Sequence, residues 1–300
     1  MFIINNRRIF FTLTGIVVLA ALAAIGIFGL HTSIDFTGGT MVQVTYPAGR
    51  PVQAALEQSL NADGYRDYSL RAVSTNDYVL QAQNISTQQR ADLTPTFSID
   101  NAYPVMVDEL NDIGPTIGLE LRNKSIVAMT LVLVCILLFI AFAFRKVSKP
   151  VSSWVYGAMA IVGLIHNVIV TTGFFALLGH VVGAQVDTLF VTAVLTVLGF
   201  SIHDTIVVFD RVRENLRINQ EQNRKEDFAI TAGRSLNQTF VRSINTSLTV
   251  VFTLFVLYLI GPVSTKDFAL TLLVGIIAGT YSSIFLATPL LVEIEKRRSK

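Results

Sequence analysis

The sequence predicts a polytopic α-helical membrane protein, with six transmembrane helices and a small α+β domain between the first two of them. The first observation is composition: 52% of the 300 residues are hydrophobic and 15% are charged, whereas soluble domains carry about 25% charged residues. The second is that long uncharged runs recur, each close to the roughly 20 residues that cross a bilayer. The third is that a polar stretch with strand and helix periodicity follows the first run.

Six apolar runs give the predicted membrane spans. They cover residues 9–30, 125–144, 152–178, 187–209, 239–260 and 267–291. The first run is longer than the core of a cleaved signal peptide, which has about 7–15 residues, so we expect an uncleaved anchor. The predicted organisation is an N-terminal segment with the first span at 1–31, an α+β domain at 32–123 and a five-helix membrane domain at 124–300.

Lysine and arginine are concentrated in alternate connections, which is typical of the cytoplasmic side of a membrane protein. The basic positions are Arg7 and Arg8, then Arg145, Lys146 and Lys149, then Arg211, Arg213, Arg217, Arg224, Lys225 and Arg234, and finally Lys296, Arg297, Arg298 and Lys300. This pattern predicts that both termini and a loop at 210–236 are cytoplasmic. The α+β domain then lies on the opposite side of the membrane.

The α+β domain is predicted from alternating strand and helix patterns. The segments are a strand at 41–46, a helix at 52–62, strands at 68–73 and 78–82, a helix from Thr87 and a strand at 105–110. The order βαββαβ predicts a ferredoxin-like unit. Such a fold does not by itself disclose a function.

Several classes of function are disfavoured. The formal charge of +2 is too small to indicate nucleic-acid binding. The single cysteine, Cys135, lies in an apolar run and excludes a disulfide within one chain. Because no nucleophile–base arrangement, metal-ligand cluster or phosphate-binding glycine loop is visible in the sequence, we expect neither an enzyme nor a bound metal or cofactor.

Two ionisable residues, Asp204 and Arg242, lie within apolar spans, where a charged side chain costs on the order of 2.5–3.5 kcal/mol. Both would lie about 9 Å inside the cytoplasmic boundary, at about 1.5 Å per residue, so a facing pair is possible. One interpretation is a carboxylate that gains and loses a proton as its access alternates, biased towards the charged form by Arg242. The other is a static pair that joins two helices.

Polar residues also form stripes along the fourth and fifth spans. The stripe on the fifth span consists of Ser235, Gln238, Thr239, Arg242, Asn245, Thr246, Thr249 and Thr253. The stripe on the fourth span consists of Thr188, Thr192, Thr196, Gly199 and His203. Asp204 lies about 100° round the helix from His203. Such faces should lie against protein or a water-filled crevice rather than lipid.

Other small and polar residues in the spans fit more than one role. His203 suits proton relay and interhelical hydrogen bonding equally, whereas packing is the favoured role for His166 and Asn167. Gly275, Gly279 and Ser283 form a small-residue seam in the sixth span. Such a seam fits a contact with another helix of this chain or of a partner.

Asp35, Gly38 and Gly39 lie where the first span meets the α+β domain. The charge of Asp35 fits an ordinary place at the membrane interface. The glycine pair allows backbone angles that other residues avoid. It fits either a hinge or a rigid tight turn at this junction.

Four motifs resemble the SecF family of protein-export membrane subunits. They are DFTGGT at 35–40, GPTIG at 114–118, GFSIHDTIVVFDRVREN at 199–215 and SLNQTFVRS at 235–243. The third motif is long and therefore highly specific. The motifs occur in the order found in the family, and the resemblance covers nearly the whole chain.

The resemblance implies a place in the bacterial inner membrane, with the α+β domain in the periplasm and a SecD-like subunit as partner. It also implies that the proton motive force is used to assist a translocating polypeptide through the SecY/SecE/SecG channel, with YajC as a further candidate partner. The family pattern assigns proton coupling to Asp204 and Arg242. Two positions depart from that pattern: Asn167 stands where Asp is frequent, which puts a second acidic site in doubt, and His203 stands where Asn is frequent.

Two other functions remain open at this point. The same Asp–Arg chemistry would serve one half of a proton-coupled small-molecule antiporter, although such a transporter generally needs two halves. A passive assembly factor for the translocon would need no proton chemistry.

Overall fold

The computed structural model describes residues 2–66, 68–83, 85–99, 101–143 and 152–298. The predicted basic connection at Arg145, Lys146 and Lys149 lies outside the described residues, as does Lys300.

Helices and strands follow one another in the predicted order. In the described part of the chain the helices are α1 (Phe2–Asn5), α2 (Arg7–Phe28), α3 (Ile34–Thr37), α4 (Gln53–Ala62), α5 (Thr87–Ala91), α6 (Leu93–Ser98), α7 (Pro115–Ala143), α8 (Ser153–Val182), α9 (Thr188–Glu221), α10 (Phe228–Ile260), α11 (Val263–Ser282) and α12 (Thr288–Arg298). The strands are β1 (Gly39–Thr45), β2 (Tyr68–Ala72), β3 (Asp77–Ala82) and β4 (Met106–Ile113). A π-helical segment, Ser283–Ala287, joins α11 to α12.

Within the described residues, six helices are long and apolar enough to cross a membrane, which confirms the six predicted spans. They are α2, α7, α8, α9, α10 and the continuous helix formed by α11, the π-helical segment and α12. The chain is therefore a multi-pass membrane protein.

The chain folds as two compact units. The first, the membrane unit, contains Met1–Gly29, Ala128–Leu178 and Leu189–Lys300. The second contains Leu30–Val127 and Gly179–Thr188. The α+β domain predicted at 32–123 falls within the second unit. This unit also takes in 179–188, which the sequence analysis counted in the membrane domain 124–300, mostly as the connection between the third and fourth spans.

The second unit contains one antiparallel sheet with the strand order β2-β3-β1-β4. This order confirms the ferredoxin-like prediction. Val42 and Val44 of β1 are fully buried and alternate with half-buried residues, as expected of a sheet with one covered face. Two buried tyrosines satisfy their hydroxyls, because Tyr46 donates to the carbonyl of Phe97 and Tyr78 donates to that of Pro51, each at 2.9 Å.

The second helix of the α+β domain begins at Thr87 as predicted, but it is divided into the two short helices α5 and α6. Ser86 starts α5 with a capping box, in which Ser86 and Gln89 bond each other's backbone N–H. Pro95 has no N–H with which to continue the hydrogen bonding to Ala91, and its ring disfavours a continuous helix. The helix therefore breaks between Ala91 and Leu93.

The membrane unit has an apolar core that includes Ile140, Leu164, Leu198, Phe209 and Leu291. The ring of Tyr156 packs edge-on against Phe209, with centroids 5.3 Å apart. The helices α2 and α8 approach so closely that a Cβ on Gly173 would lie 2.5 Å from the Cβ of Ala21.

The segment 210–236, predicted as a loop, is helical over most of its length. The helix α9 continues to Glu221 and α10 begins at Phe228, so only 222–227 connects them. The charged residues of this segment pair along the helix surface, as in Arg211–Glu214 at 2.8 Å and Arg217–Glu221 at 2.8 Å. Pairs at this spacing stabilise a helix outside the bilayer, which hydropathy alone does not predict.

Glu226 closes the connection between α9 and α10 through a set of contacts that we call the clasp. Its carboxylate accepts hydrogen bonds from Asn219 at 2.9 Å and Thr231 at 2.7 Å, and pairs with Arg234 at 2.8 Å. These contacts hold the pKa of Glu226 below its ordinary value, with the Thr231 and Asn219 hydrogen bonds as the main causes.

The clasp should weaken on acidification. A carboxylate whose pKa is lowered by folding stabilises the folded form above its unfolded pKa, which is near 4.5, and this contribution is lost as the pH falls through the lower folded value. We expect hydrogen exchange at 222–231, corrected for intrinsic rates, to accelerate over that interval. Glu226→Gln should weaken the clasp by about 1–2 kcal/mol at neutral pH and remove the acid dependence.

Glu221→Gln is the matched control, because Glu221 pairs with Arg217 on an exposed surface and such pairs contribute little. Equal exchange in Glu226→Gln and the unmodified chain at neutral pH would contradict the role given to Glu226.

Candidate functional site

Asp204 is the buried carboxylate around which the candidate site is built. Asp204 lies on α9 and is 2% exposed. Ser247 of α10 donates a hydrogen bond to Asp204 Oδ2 at 3.3 Å, and Thr280 of α11 donates to Ser247 Oγ at 2.6 Å. Residues of three helices, α9, α10 and α11, therefore form a hydrogen-bonded chain that ends at one ionisable group.

Asp204 and Arg242 line the same cavity of about 290 Å³, together with His203, Val207, Ser243 and Thr246. Within the described residues, however, no ion pair joins Asp204 to Arg242. The reason is rotational: Ser247, which bonds Asp204, lies five residues after Arg242 and so about 140° round α10. The guanidinium of Arg242 belongs to the exposed face of that helix. The structure thus brings the two predicted residues to one cavity without a direct contact.

A second cavity of about 150 Å³ adjoins this site. Its lining includes Asp210, Glu214, Gln238 and Arg242. Val207 and Arg242 line both cavities. Arg242 therefore stands between the buried carboxylate of Asp204 and exposed carboxylates further along α9. A polar cavity of this size has room for water, which can carry a proton between such groups.

The predicted stripe on the fifth span divides between two faces of α10. Ser235 and Thr239 are buried against the rest of the unit, as are Ser243 and Ser247, which the stripe did not include. The exposed members are Gln238, Arg242, Asn245, Thr249 and Thr253. On α9 the predicted stripe is exposed at Thr192, Thr196, Gly199 and His203. The membrane unit therefore presents polar surface on both helices.

His166 and Asn167 are buried in α8 and bridge to α9. The Asn167 side-chain amide donates to Ser201 Oγ at 2.5 Å, and its oxygen lies 2.9 Å from Nδ1 of His166. His166 also packs against Tyr281, with ring centroids 6.1 Å apart. Both residues thus take part in helix packing, the role favoured by the sequence.

The small-residue seam of the sixth span packs within this chain. A Cβ on Gly275 would lie 2.3 Å from a methyl of Val197, and one on Gly279 would lie 3.0 Å from Cβ of Ser201. Both contacts join α11 to α9. The seam therefore determines how closely α11 approaches the helix that carries Asp204.

The junction residues lie in the second unit. Asp35 Oδ2 accepts a hydrogen bond from the backbone N–H of Thr188 at 2.9 Å and another from the Thr188 hydroxyl. Gly38 and Gly39 have φ of 78° and 141°, angles that other residues rarely adopt. A Cβ on Gly38 would lie 2.7 Å from Cα of Pro115, and one on Gly39 would lie 2.7 Å from the carbonyl oxygen of Ala82. This packing has the character of a tight turn.

Sequence reasoning did not assign Ser247, Thr280 or Ser201 to the site. Ser247 lies on the buried face of α10 that also carries Ser235 and Thr239, and Thr280 lies directly after Gly279 of the seam. Helical spacing is the signal that could have found them: Ser201 lies three residues before Asp204, Thr280 lies three before Ser283, and Ser247 continues the four-residue spacing of Ser235, Thr239 and Ser243. The contact of Thr188 with Asp35 joins residues 153 positions apart, which no local pattern predicts.

Among the described residues, no group of three or more His, Cys, Asp or Glu side chains is arranged to hold a metal ion.

Comparison with known proteins places these features in a family. The model of the "Protein export membrane protein SecD/SecF, C-terminal" family matches residues 98–297, and that of the SecD/SecF GG motif matches residues 23–46. The SecF protein translocase subunit of Thermobaculum terrenum is 40% identical over 98% of this chain and 94% of its own length. The chain belongs to the SecD/SecF family. A second SecF subunit, from Anaerolinea thermophila, is 37% identical over 97% of this chain and 92% of its own length.

The SecD/SecF family also includes longer chains. The crystal structure of SecDF from Thermus thermophilus, described as a translocon-associated membrane protein, matches with a TM-score of 0.84 and 30% identity. The match covers 98% of this chain and 38% of that one. The SecD/SecF GG motif contains Asp35, Gly38 and Gly39, and the C-terminal family model contains Asp204 and Arg242.

The glycines of the seam are predicted to limit how closely α11 packs against α9 in this SecD/SecF family member. Gly275→Leu should force α11 away from Val197 and lower the stability of the chain by about 1–3 kcal/mol. Thermal unfolding of the purified protein in detergent measures the effect. The matched control is Gly199→Leu, because a Cβ at position 199 would meet no neighbouring helix within 4 Å. Equal melting temperatures for the two variants would show that the seam does not limit the approach of α9 and α11.

Proposed function

We propose that the chain is a SecF-type subunit that, with a SecD-type subunit, uses the proton motive force to assist protein translocation through the Sec channel. The observation that carries the proposal is Asp204, a carboxylate buried in a membrane-spanning helix beside a polar cavity that it shares with Arg242. Ionisable residues at such positions are costly and commonly serve proton or ion pathways.

The available energy is sufficient to bias a conformational change. One proton that moves down a potential of 100 mV releases about 2.3 kcal/mol. Protonation of Asp204 would remove a buried charge, so the packing of α9 against α10 and α11 would differ between the two protonation states. Arg242 lines the same cavity without being bonded to Asp204. A site of this kind can alternate, whereas a tight buried ion pair would resist protonation.

The proposed location is the bacterial inner membrane, with both termini and the 222–227 connection in the cytoplasm. The distribution of lysine and arginine supports this orientation. The α+β domain would then lie in the periplasm, on the side where a translocating polypeptide emerges. Work done by the proton site would reach the polypeptide through this domain.

The proposed partner of the membrane unit is a SecD-type subunit. The exposed polar residues of α9 and α10 would be costly in lipid and call for a protein neighbour. The longer SecDF chain of Thermus thermophilus, of which this chain spans 38%, supports a second half of that kind. The channel subunits SecY, SecE and SecG, and YajC, are further proposed partners.

The antiporter and assembly-factor alternatives have less support. One half of a small-molecule antiporter would use the same Asp204 chemistry, but the relatives that match the whole chain carry the name of protein translocase subunits. A passive assembly factor would have no need of a buried carboxylate at a polar cavity.

The proton proposal predicts the effects of two substitutions. Asp204→Asn and Arg242→Ala should leave the complex assembled but abolish the stimulation of export by the proton motive force. Assembly is measured by copurification, and export by secretory precursor translocated into membrane vesicles with and without a proton gradient. Glu221→Gln is the matched control, because Glu221 is an exposed carboxylate on the same helix that lines neither cavity, and this variant should export normally. Normal export by both site variants would show that Asp204 and Arg242 have a structural role and no role in proton coupling.

The partner proposal predicts a crosslink from the polar face. With Cys135 replaced by alanine, Asn245→Cys should form a crosslink to the SecD-type subunit in native membranes. Ile165→Cys, on an exposed apolar part of α8, should not. A crosslink from position 165 and none from position 245 would place the interface on α8 instead of α10 and contradict the proposal.

A further inference from the structure

We propose that Asp35 is a positioning residue for the proton site, because it fixes the first turn of the helix that carries Asp204. The inference rests on the proposed function of Asp204. It gives the aspartate of the junction motif a role that neither a hinge nor an ordinary place at the membrane interface would provide.

The contact between Asp35 and α9 has the form of a helix cap supplied from a distant part of the chain. One carboxylate oxygen, Oδ2, accepts both the backbone N–H and the hydroxyl of Thr188. Thr188 is the first residue of α9, and its N–H is one of the donors that a helix start leaves without a partner inside the helix. A negative charge at this end is also favoured by the helix dipole.

The segment that carries Asp35 is itself held in place by hydrogen bonds. Ser33 caps α3, because its hydroxyl accepts a hydrogen bond from the backbone N–H of Asp35 at 3.1 Å. Val186, two residues before α9, bonds to the residues on either side of Thr32: Ser33 N–H donates to the Val186 carbonyl at 2.9 Å, and Val186 N–H donates to the His31 carbonyl at 2.7 Å. The chain that leads into α9 and the chain that carries Asp35 are therefore held side by side.

Glycine packing holds the other end of α3. A Cβ on Gly118 would lie 2.9 Å from the backbone nitrogen of Gly38 and 3.1 Å from the carbonyl of Phe36. The start of α7 and the end of the α3 turn are thus packed backbone against backbone. A carboxylate mounted on such a turn has little freedom to move relative to its partner.

The helix α9 can carry this restraint to Asp204. It runs without a break from Thr188 to Glu221, and Asp204 lies roughly 24 Å along it at about 1.5 Å per residue. Rotation matters most, because one residue corresponds to about 100°. Asp204 is buried while its neighbour His203 is exposed, so a modest rotation of α9 would change the exposure of the carboxylate. Asp35 restrains this rotation at the first residue of the helix, Thr188.

The test separates a cap from a second proton-carrying group. Asparagine is as good a helix cap as aspartate but does not titrate at neutral pH. Asp35→Asn should therefore retain most of the proton-driven export, whereas Asp35→Ala should lose most of it. Hydrogen exchange in the first turn of α9 should rise by roughly two- to thirtyfold in Asp35→Ala, the factor that corresponds to a lost cap, and by less in Asp35→Asn.

Ser86→Ala is the control for capping in general, since it removes the cap of α5 elsewhere in the same unit, and it should export normally. If Asp35→Asn and Asp35→Ala fail alike, Asp35 acts through its charge and the positioning role is wrong. Normal export by Asp35→Ala also overturns it. Asp204→Asn is measured in parallel: if it exports normally the proposed function fails, whereas its failure beside a normal Asp35→Ala refutes the positioning role alone.

Discussion

The structure of the membrane unit depends on one constraint, which is that lipid offers no hydrogen-bond partner to a polar side chain. The helix α10 shows two ways of meeting it. On one face, hydroxyl residues such as Ser235 and Ser247 are buried and bond to neighbouring helices. On the other face, Gln238, Arg242 and Asn245 are exposed and need a protein surface or water. The site of Asp204 lies where these two faces meet, so it is neither wholly inside the chain nor open to lipid.

The same constraint explains why small residues matter as much as charged ones. Hydroxyl and amide side chains bond across helices only when the backbones are close, and glycine allows this approach. Gly275 and Gly279 bring α11 against α9, which places Thr280 within reach of Ser247 and Ser247 within reach of Asp204. The environment of the carboxylate is thus set by residues that carry no charge.

The sequence predicts the elements of this protein better than it predicts their contacts. The six spans and the βαββαβ order follow from periodicities within single segments, and both are confirmed. The predicted loop at 210–236 is helical except at 222–227, because charge pairs along the surface, such as Arg217 with Glu221, extend helices beyond the apolar run. The distance between Asp204 and Arg242 depends on the rotation of two helices about their axes. A shift of one residue in either helix would change the contact, and hydropathy does not fix rotation to that precision.

The clasp between α9 and α10 bears on how the chain enters the bilayer during synthesis. Its outermost partners, Asn219 and Arg234, are only 15 residues apart, and Asn215 bonds Gln238 over 23 residues. Contacts so local in sequence form quickly, so they can close before α11 leaves the ribosome. The two helices would then be inserted as a preassembled pair, with Asn215 and Asn219 of α9 already bonded to side chains of α10. A long flexible loop at the same place would instead present each helix to the lipid alone, with its polar groups unsatisfied.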